Sequence, residues 1–309
     1  MSISSIVLAV SILFTGDILL DRVVREVINH QGVDHLFTQE VDSLFRSCDY
    51  VVANLECPAT LIRQPDFKRF VFRGEPEWLS VLQVHGITHL NLANNHSIDQ
   101  GRTGLMDTWQ NILSAGMTPF GAGPNMQEAA RPLILSPITH HPSHWRGFAI
   151  PDSPHPSPRI YILSTLRMAL ENYAYLPDKP CVSQEPEDSL LARIQNIRAS
   201  DPTAVIVVCP HWGAEHTLRP VPAQIQMAHR IIDAGADIIV GHHTHTLQTI
   251  EQYRGKYIYY SIGNFIFDQQ RPINTRACAV KLTITDDGAL FVETIPIDIR
   301  HCVPHIQPA

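Results

Sequence analysis

Six short apolar runs, each breaking off at a polar residue able to hold a ligand or move a proton, constrain this chain more than any other feature. Residues 5–14 run into Gly16-Asp17, residues 50–53 into Asn54-Leu55-Glu56, and residues 87–92 into Asn94-Asn95-His96. Residues 204–209 run into Pro210-His211, residues 238–240 into Gly241-His242-His243, and residues 257–262 into Gly263-Asn264. Continuous apolar stretches this short read as strands buried on both faces. Helical periodicity fills the gaps between them. Leu20, Val23, Val24, Val27 and Ile28 fall on one face within residues 19–30. Further helices are expected over residues 76–84, with Pro76 at the start, and over 105–115, ended by Gly116. Two more are expected over 188–199 and over 222–234, the latter closed by Gly235. Alternating strands and helices predict a largely parallel α/β architecture. Ligands of such folds collect at the carboxyl ends of the strands, where all six polar motifs lie.

The edges of the chain read differently. Asp286-Asp287-Gly288 separates two alternating runs, 277–285 and 289–299, which predicts a hairpin. Residues 132–158 hold many Pro, His and Ser residues and read as an irregular insertion. The expected organisation is a single domain over residues 1–300 with a C-terminal tail at 301–309. No internal repeat is visible.

Composition removes several function classes. With 309 residues, 44% hydrophobic and 17% charged, the chain can bury a large core and is not of disordered type. Its net charge of −7 and lack of a basic run argue against nucleic acid as a partner. Six cysteines form no Cys-x-x-Cys pair, so a thiolate zinc site is not expected and reduced buried thiols are. Residues 6–14 resemble the apolar part of a signal peptide. No Lys or Arg precedes them, no small-residue cleavage pattern follows, and the run is too short to span a bilayer. It reads as the first strand, and the expectation is a soluble, cytoplasmic protein without an integral membrane segment.

Histidine is over-represented, with 17 residues. His140, His141 and His144 read as surface histidines. Gly241-His242-His243-Thr244-His245 differs, because three imidazoles in four residues follow a buried strand. If the segment stays extended, alternation sends His243 and His245 to the same side. His211 ends a second such strand and opens His211-Trp212-Gly213-Ala214-Glu215-His216, where Glu215 and His216 can support a ligand shell. In Asn94-Asn95-His96-Ser97-Ile98-Asp99, an Asn carbonyl oxygen can ligate a metal, His96 can donate a proton and Asp99 can orient it. The same stretch is also a good Asn-rich turn. Asp17 and Glu56 can supply charge to a cation site, or can cap the helices that follow. Mixed nitrogen and oxygen donors suit Mn, Zn, Fe or Mg.

These motifs, in this order, resemble the CapA (PgsA-like) poly-γ-glutamate capsule synthesis family. The resemblance rests on Gly16-Asp17-Ile18-Leu19-Leu20, Asn54-Leu55-Glu56, Ala93-Asn94-Asn95-His96 with Asp99 and Gly101, and His211-Trp212-Gly213-Ala214-Glu215. It also rests on Gly241-His242-His243-Thr244-His245 and Tyr260-Ser261-Ile262-Gly263-Asn264-Phe265, covering residues 10 to 268. That family is similar to the calcineurin-like metallophosphoesterases. The implied fold is their four-layer α/β/β/α sandwich with mixed sheets, and the implied cofactor is one or two divalent metal ions. The resemblance implies Asp17 as a metal carboxylate, Glu56 as the bridging acid, and Asn95, His211 and His243 as ligands of one metal. His245 would join Asp17 on the other. His96, supported by Asp99, would protonate the leaving group, and Arg73, Asn264 and Asp268 would line a substrate pocket. Classical members of the superfamily carry Asp-x-His in the first motif, whereas Leu19 stands here.

The implied substrate is a phosphoester or an anionic polymer, with capsule-synthesis proteins as partners. Three functions compete. The first is a metal-dependent, phosphoesterase-like hydrolase. The second is a non-catalytic accessory that uses metal to bind polymer carboxylates. The third is an interaction protein with a decayed site, against which stands the retention of His96, His211, His243 and His245.

Overall fold

The computed structural model describes residues 9–135, 158–170 and 174–307. Two mixed sheets dominate it. The first is built on the parallel strands β1 (Ala9–Ile18), β2 (Tyr50–Leu55), β3 (His89–Asn91) and β4 (Thr118–Phe120). A short pair, β5 (Ala122–Gly123) with β8 (Cys181–Val182), lies apart. The second sheet is built on β7 (Ile160–Leu166), β9 (Val205–His211), β10 (Ile238–Val240) and β12 (Lys256–Tyr259), again parallel. Its edges are antiparallel, β6 (Leu133–Leu135) beside β7 and β11 (Ile250–Tyr253) beside β12. Strand β13 (Asn264–Ile266) returns to the first sheet and pairs with β1 in parallel. Strands β14 (Arg276–Thr285), β15 (Leu290–Arg300) and β16 (Val303–Ile306) complete that sheet as an antiparallel ribbon, with β14 on the same edge of β1 as β13, opposite β2.

Side-chain alternation assigns the layers. On β1, Ile12 and Phe14 join Ile160, Val207 and Val240 in a core between the sheets, while Leu13 joins Val51 and Leu90 on the opposite face. That outer face is covered by α1 (Arg22–Gln31), α2 (Gln39–Arg46), α3 (Trp78–Val84) and α4 (Gly101–Ser114). A short α5 (Met126–Ala129) sits beside β5. On the outer face of the second sheet, Leu163, Val208 and Ile258 pack with α6 (Glu187–Ser200) and α7 (Pro222–Asp233). The result is the four-layer α/β/β/α sandwich. No helix among the described residues is long and apolar enough to cross a membrane.

The helices start and stop where local chemistry directs. Asp21 accepts from the Arg22 N–H at the start of α1, and Gly32, at φ 83°, closes it with a bond to the Ile28 carbonyl. Thr38 caps α2 through the Val41 N–H at 3.3 Å. Two expectations need correction. Residues 301–309 do not form a simple tail, because Val303–Ile306 pair with β15 as β16 and bury Val303 against the first helical layer. Strand β7 lies within no expected run, although all seven of its residues are buried. Most of the expected 132–158 insertion, with His140, His141 and His144, lies outside the described residues. The cysteines are free, and all but Cys48 are buried.

His89 on β3 shows what burial does to a titratable group here. Its ring packs edge-on against Tyr50 at 5.5 Å, and burial lowers its pKa from 6.5 to about 4. Above pH 6.5 neither the folded nor the unfolded chain protonates it. As pH falls from 6.5 to about 4, only the unfolded chain takes up the proton, so stability is lost through that window. Urea melts at pH 7.5 and 4.5 should therefore show a loss in the wild type that His89→Gln reduces by about 2 kcal/mol. An unchanged pH dependence in the variant would contradict this.

Candidate metal centre

The carboxyl ends of the central strands converge on one buried cluster. Asp17 is the penultimate residue of β1, Glu56 follows β2, and Asn94 to Asp99 follow β3. His211 ends β9, and His242, His243 and His245 follow β10. Two glycines let the backbones come together. A Cβ on Gly16 would overlap the Gly263 carbonyl, and one on Gly241 would overlap the Tyr260 carbonyl. Each stands immediately before a cluster residue, Asp17 and His242.

The histidine segment does not continue as a strand. His243 and His245 have φ of 94° and 54°, in the left-handed region that β-carbons disfavour. The extended alternation expected for this pair is therefore wrong, and two left-handed residues bring the imidazoles into the cluster instead. Non-glycine residues held there cost about 1–3 kcal/mol each, and such positions gather at functional sites.

The donor atoms form two overlapping groups. Glu56, His211 and His243 make one, and Asp17, Glu56 and His245 the other, each with its ligand atoms within 4.8 Å of one another. Within the first, His211 Nε2 lies 3.2 Å from His243 Nδ1 and 3.8 Å from Glu56 Oε1, and Asn95 Oδ1 joins at 2.8 Å from His211 Nε2. In the second, His245 Nδ1 lies 3.4 Å from Asp17 Oδ2 and its Nε2 lies 3.6 Å from Glu56 Oε1. Donors about 2.1 Å from one ion stand roughly 3.0–3.4 Å apart, so this spacing is close to a ligand shell. Asp17 Oδ2 and both carboxylate oxygens of Glu56 are buried and make no hydrogen bond among the described residues. Buried oxygens left without donors are what a cation would satisfy.

Burial dominates the electrostatics. It raises the Glu56 carboxyl well above its ordinary value, and the Asp17 charge adds to the rise. Burial works in the same direction on Asp17, but contacts with His242 and His245 outweigh it and hold that carboxyl well below its usual range. Burial, then the neighbouring imidazoles, keeps His211 neutral and lowers His243 to about 4. Neutral imidazole is the form that ligates a metal.

Supporting residues hold these donors in place. Asn54 donates to Asp17 Oδ1 at 2.8 Å, and Asn94 donates to Asn54 Oδ1 at 3.2 Å. His242 Nδ1 lies 3.1 Å from Asp17 Oδ1. Asn264 is fully buried with its Oδ1 2.9 Å from His245 Nδ1, so it sets an imidazole rather than lining a pocket. Asn274 donates to the His245 carbonyl at 2.7 Å. The sequence places His242 in the histidine motif without a role of its own, and Asn274 in no motif. Adjacency to His243 was a signal for the first, whereas nothing local marks Asn274.

A cavity of about 340 Å³ opens beside the cluster, walled by His96, His245, Phe72, Asp268 and Arg22 among others. His96 Nδ1 is 2.8 Å from Asp99 Oδ2, which also accepts from the Phe72 N–H at 2.7 Å. Lys68 Nζ is 2.5 Å from Asp99 Oδ1 and donates to the Asn95 carbonyl at 2.9 Å. With Nδ1 engaged by Asp99, the other ring nitrogen of His96 is left for chemistry. Glu215 and His216 also line the cavity, and so does Asp268. Arg73 does not take its expected place, because its guanidinium is fastened to Glu75 and to the Thr60 carbonyl. Leu19 is fully buried in the helix-side core, so the first motif offers no imidazole at that position.

Fold and cluster together define an α/β sandwich of the metallophosphoesterase type, with buried His, Asp and Glu groups able to hold metal. Residues 11–269 match the family described as bacterial capsule synthesis protein PGA_cap, and the chain belongs to that family. It is 32% identical over 94% of its length to the PGA biosynthesis protein CapA of Bacillus subtilis, covering 72% of that protein. It is 30% identical over 94% of its length to the capsule biosynthesis protein CapA of Bacillus anthracis, covering 67%. A probable polyglutamine synthesis accessory protein of Mycobacterium tuberculosis is 25% identical, with 94% of this chain and 85% of that one covered.

Because Glu56 stands in both donor groups, substitutions should separate by position. Calorimetric titration of the metal-free protein with Mn²⁺ should lose both binding events in Glu56→Gln, but only one in His243→Ala. Equal loss in the two variants would contradict a shared carboxylate.

Proposed function

We propose that this protein is a metal-dependent hydrolase of phosphoester-like bonds that serves the formation of an anionic capsule polymer, of which poly-γ-glutamate is the candidate. One observation carries the reading: a fully buried carboxylate, Glu56, sits between two histidine-containing donor groups with neither oxygen hydrogen-bonded among the described residues. The donors Asp17, Glu56, Asn95, His211, His243 and His245 would hold one or two divalent ions of the Mn, Zn, Fe or Mg type. Bound ions would supply charge that acidifies a water and offsets negative charge developing on the substrate.

The chain's own groups do the rest. Asn54 and His242 fix Asp17, and Asn264 and Asn274 fix His245, so little reorganisation is needed when ligands bind. His96 is the proposed proton donor to the leaving oxygen. Burial lowers its pKa while the bond to Asp99 opposes that shift, and the same bond sets its orientation. Phe72 packs against His96, with ring centres 4.3 Å apart and planes tilted by 34°, and limits its access to water.

A second reading has its own support. Leu19 removes one imidazole from the first motif, and the relatives' names speak of biosynthesis or of an accessory role. On that reading the ions hold polymer carboxylates and no bond is cut.

The test uses the Mn²⁺-loaded full chain and a generic aryl phosphate. Turnover is expected, with His96→Asn keeping its metal and losing about 10²–10⁴-fold in kcat. Metal binding without turnover, together with retention of a glutamate polymer, would overturn the hydrolase in favour of the accessory. Absence of metal would overturn both.

A further inference from the structure

Arg22 stands at the wall of the cavity beside the cluster. It is the first residue of α1 and has φ 58°, a left-handed backbone rare for a residue with a β-carbon. Its Nε is 2.9 Å from Asp268 Oδ2, and the Asp268 side chain is only 1% exposed. Its guanidinium carbon lies 5.7 Å from the centre of the Phe72 ring and 5.9 Å from that of Phe70. Its two terminal nitrogens make no hydrogen bond among the described residues, and the side chain is 41% exposed in the cavity that His96 and His245 also wall. Arg271 lines the same cavity.

A guanidinium presents a planar fork that suits the two oxygens of a carboxylate or phosphate. Here one nitrogen and two aromatic faces fix the plane of the fork while its outer pair of donors is unspent. Asp268 fixes the arginine's orientation and lies beneath it, so the ion pair does not consume the fork. A strained backbone that carries a guanidinium to the mouth of a cavity points to a ligand there. The cavity is of a size that holds a small ligand or a short stretch of polymer.

We propose that Arg22 is a specificity residue that clamps an oxyanion of the substrate other than the group reacting at the metal cluster, with Arg271 as a second cation in the same cavity. The substrate class is then a molecule with at least two anionic groups, one beside His96 and one at Arg22. This rests on the reading that the adjoining cluster handles an anionic substrate, but the clamp can be tested without turnover.

The experiment is calorimetric binding of triglutamate, of its neutral counterpart triglutamine, and of inorganic tripolyphosphate to the full chain, with and without Mn²⁺. Arg22→Met keeps the aliphatic stem and the same backbone demand, Arg22→Lys keeps a charge without the fork, and thermal melts check that both fold. The expected result is binding of the two anions and not of triglutamine, weakened at least tenfold by Arg22→Met and partly restored by Arg22→Lys. Stronger binding of triglutamate assigns carboxylate as the clamped group, and stronger binding of tripolyphosphate assigns phosphate. The proposal is overturned if the wild type binds neither anion, if triglutamine binds as well as triglutamate, or if Arg22→Met binds both anions as the wild type does. Loss of Mn²⁺ binding or turnover with Arg22-dependent anion binding intact would refute the hydrolase and leave the clamp standing.

Discussion

Asp17 and Glu56 are two carboxyl groups with no solvent exposure, placed side by side at the ends of adjacent parallel strands. An unpaired buried charge costs several kcal/mol, and two of like sign cost more. The imidazoles of His242 and His245 favour the charged form of Asp17, while burial and the Asp17 charge push Glu56 towards its protonated form. A divalent cation between them would displace that proton and supply the missing charge, so metal uptake and proton release are coupled. The rest of the site serves this arrangement.

The sandwich makes the arrangement affordable. Strands buried on both faces hold the ligand backbones rigidly, because Ile12 and Phe14 pack on one side of β1 and Leu13 on the other. Close approach of chains at Gly16 and Gly241 then packs each strand end tightly against the neighbouring segment of its own sheet, Gly263-Asn264 and Tyr260. The left-handed residues His243 and His245 carry strain that the surrounding packing and the bonds from Asn264 and Asn274 maintain. Preorganisation of this kind precedes any ligand, which is what an electrostatic site requires.

Much of this was legible in the sequence, for a physical reason. Apolar runs that stop at Asp17, Glu56, His211 and His242 reveal buried parallel strands and their ends together, since burial on both faces leaves only the ends free for polar groups. What escaped notice depends on long-range placement. Asn274 looks like any loop residue, yet it bonds the carbonyl of His245 across 29 positions. Arg22 and Arg73 look equally free in sequence, and only the partners Asp268 and Glu75 distinguish a guanidinium open to the cavity from one already spent. Strand β7 went unrecognised because Ser164 and Thr165 interrupt its apolar run, although both are buried. The turn at His243 is not legible in the sequence, because no local rule marks a histidine that will adopt positive φ. Val303–Ile306 reads as a tail in sequence because pairing with β15 is a tertiary event.

On the proposed reading, Glu56 would join two cation positions built from distant parts of the chain. Anomalous diffraction from crystals soaked in Mn²⁺ tests it most directly. Two peaks are expected roughly 3.5–4 Å apart, as in two-metal sites generally, one beside His211 and His243 and the other beside Asp17 and His245, with Glu56 touching both. Peaks elsewhere, or ions bound in the cluster without contact to Glu56, would contradict it.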